Sequence, residues 1–149
     1  MITLRCVLGM DAQRNMELVQ MDVKTTFLHG DLHEDIYMQQ LEGFVEKSKE
    51  DLVWLKKSLY GLKQASCEWY HKFHSFMLSQ GYQRSNIDHC LYTKKAKDGS
   101  FLICILYVDD MLIARTNIDV IAALKSKLND TFLKKDWGYA TFICDNEFK

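Results

Sequence analysis

With 149 residues and a formal charge of −1, the chain has the length of one domain and no global basic signal, so any nucleic-acid contact must come from a local patch. Hydrophobic residues make up 48%, enough to bury a real core, and the first residues lack the charged and apolar regions of a secretion signal. Five scattered cysteines (Cys6, Cys67, Cys90, Cys104, Cys144) with no CxxC pair fit a reducing compartment, and proline is absent.

Residues 3–15 read as a helix, with Leu4, Val7, Leu8 and Ala12 on one stripe. In ELVQMDV (17–23) the side chains alternate, so Val19, Met21 and Val23 face one way and Asp22 projects from the opposite face. IYMQQ (36–40) and LVWLKK (52–57) read as short strands, separated by a charged loop from Glu46 to Asp51. Residues 65–80 turn helical, with Trp69, Phe73, Phe76 and Met77 on one stripe, and Gly81 ends the helix as a C′ residue. A strand at 91–95, a Lys97-Asp98-Gly99 turn and a long apolar strand from Phe101 follow. Residues 117–132 form a last amphipathic helix, with Asn117 as cap and Ile121, Leu124, Leu128 and Phe132 inward. This order is that of an α+β fold.

Tyr107-Val108-Asp109-Asp110 lies inside FLICILYVDDMLIA (101–114), a run with no other charge. Two adjacent carboxylates in a core-grade apolar stretch are costly unless something neutralises them. A hard divalent cation such as Mg²⁺ would, and two central acids make the run a poor membrane span. It reads as strand, acidic turn and returning strand. With Asp22 these acids suit two-metal phosphoryl or nucleotidyl transfer, although Asp22 alone is equally an exposed acid on a strand face. His71 with His74, and Asp88-His89-Cys90, invite a metal reading, but the histidine pair has no third ligand, the adjacent residues of the triplet point apart on an extended chain, and neither group receives a role.

Six segments, QMDVKTTFLHGDL (20–32), DIYMQQLEGF (35–44), WLKKSLYGLKQA (54–65), WYHKF (69–73), LYVDDMLIA (106–114) and KDWGYA (135–140), resemble in order and spacing the reverse transcriptase of copia-type LTR retrotransposons. The resemblance covers nearly the whole chain. It implies a right-hand polymerase fold, with palm at about 1–29 and 66–149 and part of the fingers at about 30–65. It implies addition of deoxynucleotides to a primer on an RNA or DNA template, using two Mg²⁺ ions or Mn²⁺. Asp22, Asp109 and Asp110 resemble the catalytic metal-binding aspartates, and the carbonyl of Val23 the backbone oxygen that joins them. Phe27, five residues after Asp22, matches the aromatic that crowds a ribose 2′-hydroxyl; without the family it is equally a core residue. Tyr60, Gly61, Lys63 and Gln64 resemble the motif against the incoming nucleotide and template, with Gly61 suited to close backbone approach. Lys56, Lys57 and Lys63 form a basic cluster that could meet phosphates or simply be solvated. Tyr107 fits the primer end or the core. The implied partners are template and primer, deoxynucleoside triphosphates and other segments of a parent polyprotein, with no membrane. The implied place is intracellular: cytoplasm, virus-like particle or nucleus.

Departures from the family pattern point toward degeneracy. Leu41 and Ser66 stand where proline is usual, Thr26 where alanine is, Arg115 where a glycine of positive φ is expected, and Asp145 where another glycine is. The chain starts after the segment that grips triphosphate in this family and stops before the region leading to RNase H. These features open the alternative of an inactive remnant that folds and at most binds nucleic acid weakly. A nucleotide cyclase would have no need of a template-side motif.

Overall fold

The computed structural model describes residues 2–45, 52–96, 99–116, 118–132, 134–139, 142–143 and 146–147. The elements are α1 (Ile2–Arg14), β1 (Glu17–Val23), a 3₁₀ turn (Thr26–His29), β2 (Asp31–Gln39), β3 (Leu52–Lys57), α2 (Ala65–Ser79), β4 (Gln83–Arg84), β5 (Leu91–Lys95), β6 (Phe101–Tyr107), β7 (Asp110–Arg115), α3 (Ile118–Thr131), β8 (Lys134–Tyr139), β9 (Phe142–Ile143) and β10 (Asn146–Glu147). This mixture of helices and antiparallel sheet is α+β, as the element order anticipates. The chain divides into two compact units, Met1–Thr25 with Ser75–Lys149, and Thr26–His74. Among the described residues no helix is long and apolar enough to cross a membrane.

The first unit is built on a six-stranded sheet in the order β4-β5-β6-β7-β1-β8, antiparallel throughout. Alternation along β1 buries Val19, Met21 and Val23, which places Asp22 on the other face as expected. Met21 pairs with Met111, Val19 with Ile113, and Ile113 with Cys104, so one sheet face is continuously apolar and buried. On this side α3 presents Ile121, Leu124 and Leu128, followed by Phe132, at helical spacing, and Phe132 meets Phe76 edge-on at 5.3 Å. On the opposite face Val7 of α1 packs with Ile103 and Ala114, flanked by Met10, Leu18 and Ile105. Asn15, at φ +52, ends α1 in the left-handed conformation that asparagine tolerates best after glycine. Gly81 does the same for α2 at φ +78: its N–H bonds to Leu78 O (2.9 Å) and that of Tyr82 to Met77 O (3.1 Å), a Schellman cap.

The second unit consists of the 3₁₀ turn, the β2–β3 hairpin and the first part of α2. Its buried residues include Thr26, Ser58, Ala65, Trp69 and Phe73. Gly30 carries a packing demand that its sequence context does not reveal. A Cβ there would lie 2.8 Å from Glu68 Cβ and 3.1 Å from Trp69 N, against the backbone of α2. Gly30→Ala should therefore cost about 1–3 kcal/mol by overpacking, read as a lower urea midpoint at unchanged slope. An unchanged midpoint would show that the helix yields freely.

The 3₁₀ turn and the two-residue strands β4, β9 and β10 are additions to the expected elements, and two longer strands differ from expectation. β2 starts at Asp31 rather than Ile36, because Asp31 pairs with Lys57 ahead of the Ile36–Leu55 pair, a register shift that its charged first half conceals. β8 was not foreseen: it makes the second ladder on β1, with a shift between Gln20 and Met21. The Glu46–Asp51 loop, Lys97 and Asp98 of the expected turn, the Asn117 cap and Asp145 lie outside the described residues.

Candidate active site

β6 and β7 are joined by the two residues Val108 and Asp109, with Tyr107 paired to Asp110. Val108 has φ +57 and Asp109 does not share it, the pattern of a type II′ hairpin turn with valine where glycine is preferred. A β-branched residue in that region is strained, so the flanking ladder holds the turn in place. The strand pairing then assembles the acids. Asp110 is the direct cross-strand partner of Asp22, and the N–H of Val23 donates to Asp109 O at 3.0 Å. All three aspartates thus come to one end of the β1–β7–β6 ladder. Asp109 is exposed, Asp22 and Asp110 half-buried.

Gln20, two residues before Asp22 on the same strand face, donates from Nε2 to Asp110 Oδ1 at 3.2 Å. Sequence reading missed it; the only available signal was that spacing of two. Gln20, Tyr107, Asp110 and Leu112, with Thr3 and Leu4 of α1, line a cavity of about 220 Å³. Tyr107 is 54% exposed, so it is not a core residue. Asp88, which received no role, accepts from the Thr3 hydroxyl and, at 2.9 Å, from the Cys90 N–H. Both bonds hold its carboxyl below the usual range, the Thr3 bond more strongly.

Carboxylate oxygens are the donors a hard divalent cation prefers. Directly opposed residues have Cβ atoms about 4.5–5.5 Å apart, so Asp22 and Asp110 suit one ion in chemistry and register. Among the described residues, however, no three His, Cys, Asp or Glu side chains converge tightly enough to hold a metal.

In the second unit Phe27, on the 3₁₀ turn, meets Tyr60 edge-on with ring centroids 4.7 Å apart. Gly61 has φ +95, and a Cβ there would meet nothing within 4 Å, so within the chain its backbone conformation rather than crowding requires glycine. Lys63 is exposed, and Gln64 donates to Glu34 at 3.2 Å. Lys56 lies over the Trp54 ring at 5.8 Å. Lys57 is paired within the unit: with Lys72 it holds Asp31 from two sides. The Lys57 bond, then the Lys72 bond, pulls the Asp31 carboxyl from 3.8 to about 2. A carboxylate with a depressed folded pKa stabilises above its unfolded value and loses that contribution as pH falls through the folded one. Wild type should therefore exceed Asp31→Asn by about 0.2–1 kcal/mol at pH 5, a screened surface contribution, with the gap closing between about pH 4 and 2. Denaturant titrations at three pH values would test this; a gap that persists at pH 2 would remove the ion-pair explanation.

Arg115 corrects an expectation. It lies within β7, outside the left-handed region, and is buried with Nη2 donating to Ser100 Oγ at 3.0 Å. No glycine-type strain arises there.

Over residues 1–148 the chain matches the family described as reverse transcriptase (RNA-dependent DNA polymerase). It is 50% identical over 144 residues to the retrovirus-related Pol polyprotein from transposon TNT 1-94 of Nicotiana tabacum, covering 96% of this chain and 11% of the polyprotein. It is 35% identical over 135 residues to the Pol polyprotein from transposon RE1 of Arabidopsis thaliana, with 90% and 9% covered. Against the transposon Ty1-BL Gag-Pol polyprotein of Saccharomyces cerevisiae the identity is 31% over 113 residues, with 75% and 6% covered. The chain therefore spans about a tenth of the length of these relatives. No solved structure matches it.

Proposed function

The chain belongs to the reverse transcriptase (RNA-dependent DNA polymerase) family, and from that premise we propose that it carries the nucleotidyl-transfer centre of a copia-type retrotransposon Pol polyprotein. The single observation behind this reading is the Asp22–Asp110 cross-strand pair, with Asp109 in the adjoining turn. On this reading residues at about 1–29 and 66–149 serve as palm and those at about 30–65 as part of the fingers. Asp22, Asp109, Asp110 and the Val23 carbonyl hold two Mg²⁺ ions, for which Mn²⁺ can substitute. Bound ions of this kind supply the charge that stabilises attacking and leaving oxygens. The chain's own contribution is placement: a paired ladder fixes the carboxylate-bearing backbone, Gln20 orients Asp110, and Tyr107 supports the primer end. Tyr60, Gly61, Lys63 and Gln64 bind the deoxynucleoside triphosphate, and Lys56 and Lys57 the template or primer phosphates. Other segments of the polyprotein complete the assembly, which works inside the cell.

Phe27 selects the sugar. Phe27→Val should raise ribonucleotide relative to deoxynucleotide incorporation about tenfold, or about 1.4 kcal/mol of transition-state discrimination. An unchanged ratio with normal deoxynucleotide use would return Phe27 to a packing role beside Tyr60.

The test is extension of a DNA primer on an RNA template by the full chain, with Mg²⁺ or Mn²⁺. Labelled product that depends on deoxynucleotides supports the reading. A second reading, a folded but inactive remnant, draws on the absence of a gathered three-acid cluster among the described residues. A cooperative unfolding transition without product at any metal concentration would favour it.

A further inference from the structure

We propose that the β2–β3 hairpin of the second unit is a self-association surface, on which the open edge of β3 pairs antiparallel with the same strand of a second copy of this chain. β2 and β3 form a sheet of two strands, and among the described residues no further strand joins it. A two-stranded sheet is marginal in water, and its edges present backbone N–H and C=O groups that another strand can take. The two edges are not alike. β2 opens with Asp31, His33, Glu34 and Asp35 and breaks register between Asp31 and Ile36, the charge and irregularity that keep an edge unpaired. β3 has neither device over Leu52, Val53, Trp54 and Leu55. Apart from its ladder with β2, no backbone hydrogen bond reaches Leu52–Lys57 among the described residues.

The apolar side chains of β3 reach solvent on both faces. Leu52 and Trp54 are each just over half exposed on one face, and Val53 is 39% exposed on the other. Tyr37 stands directly across from Trp54 and is 58% exposed, so it widens the first face. An uninterrupted apolar run of this length suits a strand in the interior of a sheet, with a neighbour on each side. Here β3 has only one such neighbour, β2, among the described residues.

The occupant that matches this edge is the same strand. Side chains alternate with period two, so an antiparallel pair about a two-fold axis keeps its faces only in registers where opposed residue numbers have an even sum. In the register centred on Trp54, that residue meets the partner's Trp54. Leu52 then meets the partner's Lys56, and Val53 the partner's Leu55. No lysine faces a lysine, whereas a parallel in-register pair would set Lys56 and Lys57 each beside its own copy. The Tyr37–Trp54 pair thereby continues across the seam, and the lysine stems lie at its two ends with their charges in solvent. Unpaired nucleic-acid bases would also stack on these rings. However, Asp35, two residues before Tyr37 on that face, balances Lys56, so the face lacks the basic character of such platforms. The seam is one short strand, so the dimer is weak, with a Kd on the order of 10–100 µM. Nothing in the pairing depends on the polymerase reading.

Sedimentation of the full chain from about 5 to about 500 µM should show a dimer that grows with concentration. Trp54→Lys and Trp54→Glu should each weaken it at least about tenfold, because each sets like charges opposite one another at the centre of the seam. An equimolar mixture of the two variants should restore association, since every lysine then faces a glutamate. A general apolar patch would give no such rescue. Leu52→Lys, opposite the partner's Lys56, should weaken the dimer likewise, and it carries the test where a Trp54 variant fails to fold. Leu78→Glu, at a comparably exposed leucine of α2, should leave the dimer unchanged. A single-stranded oligonucleotide that disperses the dimer, and that quenches tryptophan emission in wild type but not in Trp54→Lys, would give the face to nucleic acid and overturn the proposal. A monomer at every concentration, a dimer indifferent to the Trp54 and Leu52 variants, or a mixture without rescue overturns it as well.

Discussion

Asp110→Asn is expected to lower primer extension by about 10³-fold, near 4 kcal/mol in the barrier, while raising the melting temperature of the metal-free protein. The two readouts diverge for one reason. Asp110 faces Asp22 directly across the β1–β7 ladder, so two like charges oppose each other at a site that the strands fix. Opposed charges of one sign cost about 0.2–1 kcal/mol, and the amide relieves that cost while keeping an acceptor for Gln20. The charge that destabilises the free protein is the charge a cation needs. Mn²⁺ should then stabilise wild type through linkage and have little effect on the variant. Extension retained within about tenfold, or a melting temperature that falls, would show that Asp110 is not a charged ligand.

The second large effect lies in the core of the smaller unit. Trp69→Ala should destabilise by about 3–5 kcal/mol, a third or more of the stability of a typical domain. The indole is 1% exposed, with its ring 5.7 Å from Phe73 and 6.0 Å from His29, so its loss leaves a cavity between α2 and the 3₁₀ turn. Leu78→Ala on the same helix is a control, because Leu78 is 49% exposed and should change stability by no more than about 0.5 kcal/mol. If the two variants unfold at similar urea concentrations, burial at Trp69 does not carry the unit.

Much of this architecture is legible in the residues, for identifiable reasons. The alternation of ELVQMDV places Asp22 opposite the buried face, and the acids of an apolar hairpin announce themselves because nothing else there is charged. Helix periods and Gly81 mark α2 to within a residue of its end. What stays hidden depends on partners distant in the chain. The charged start of β2 is a strand because Lys57 pairs with Asp31, and β8 is one because β1 has a free edge beside it. The contacts of Gln20 with Asp110 and of Phe27 with Tyr60 are likewise set by the fold and not by local pattern. Arg115 shows the reverse case: a residue expected to strain a turn is an ordinary member of a strand, and its distinctive property is burial.

The position of β1 has a consequence in time. It is paired along both edges, so its amides, including those beside Asp22, should exchange with solvent only when the sheet opens. Val108 and Asp109 cap a two-residue turn at the sheet's end, where opening is local and frequent. The carboxylates therefore keep two clocks, one slow and one fast, joined by the bond from Val23 to Asp109. A cation gathering all three acids would bind the fast clock to the slow one, and the turn would show its presence first.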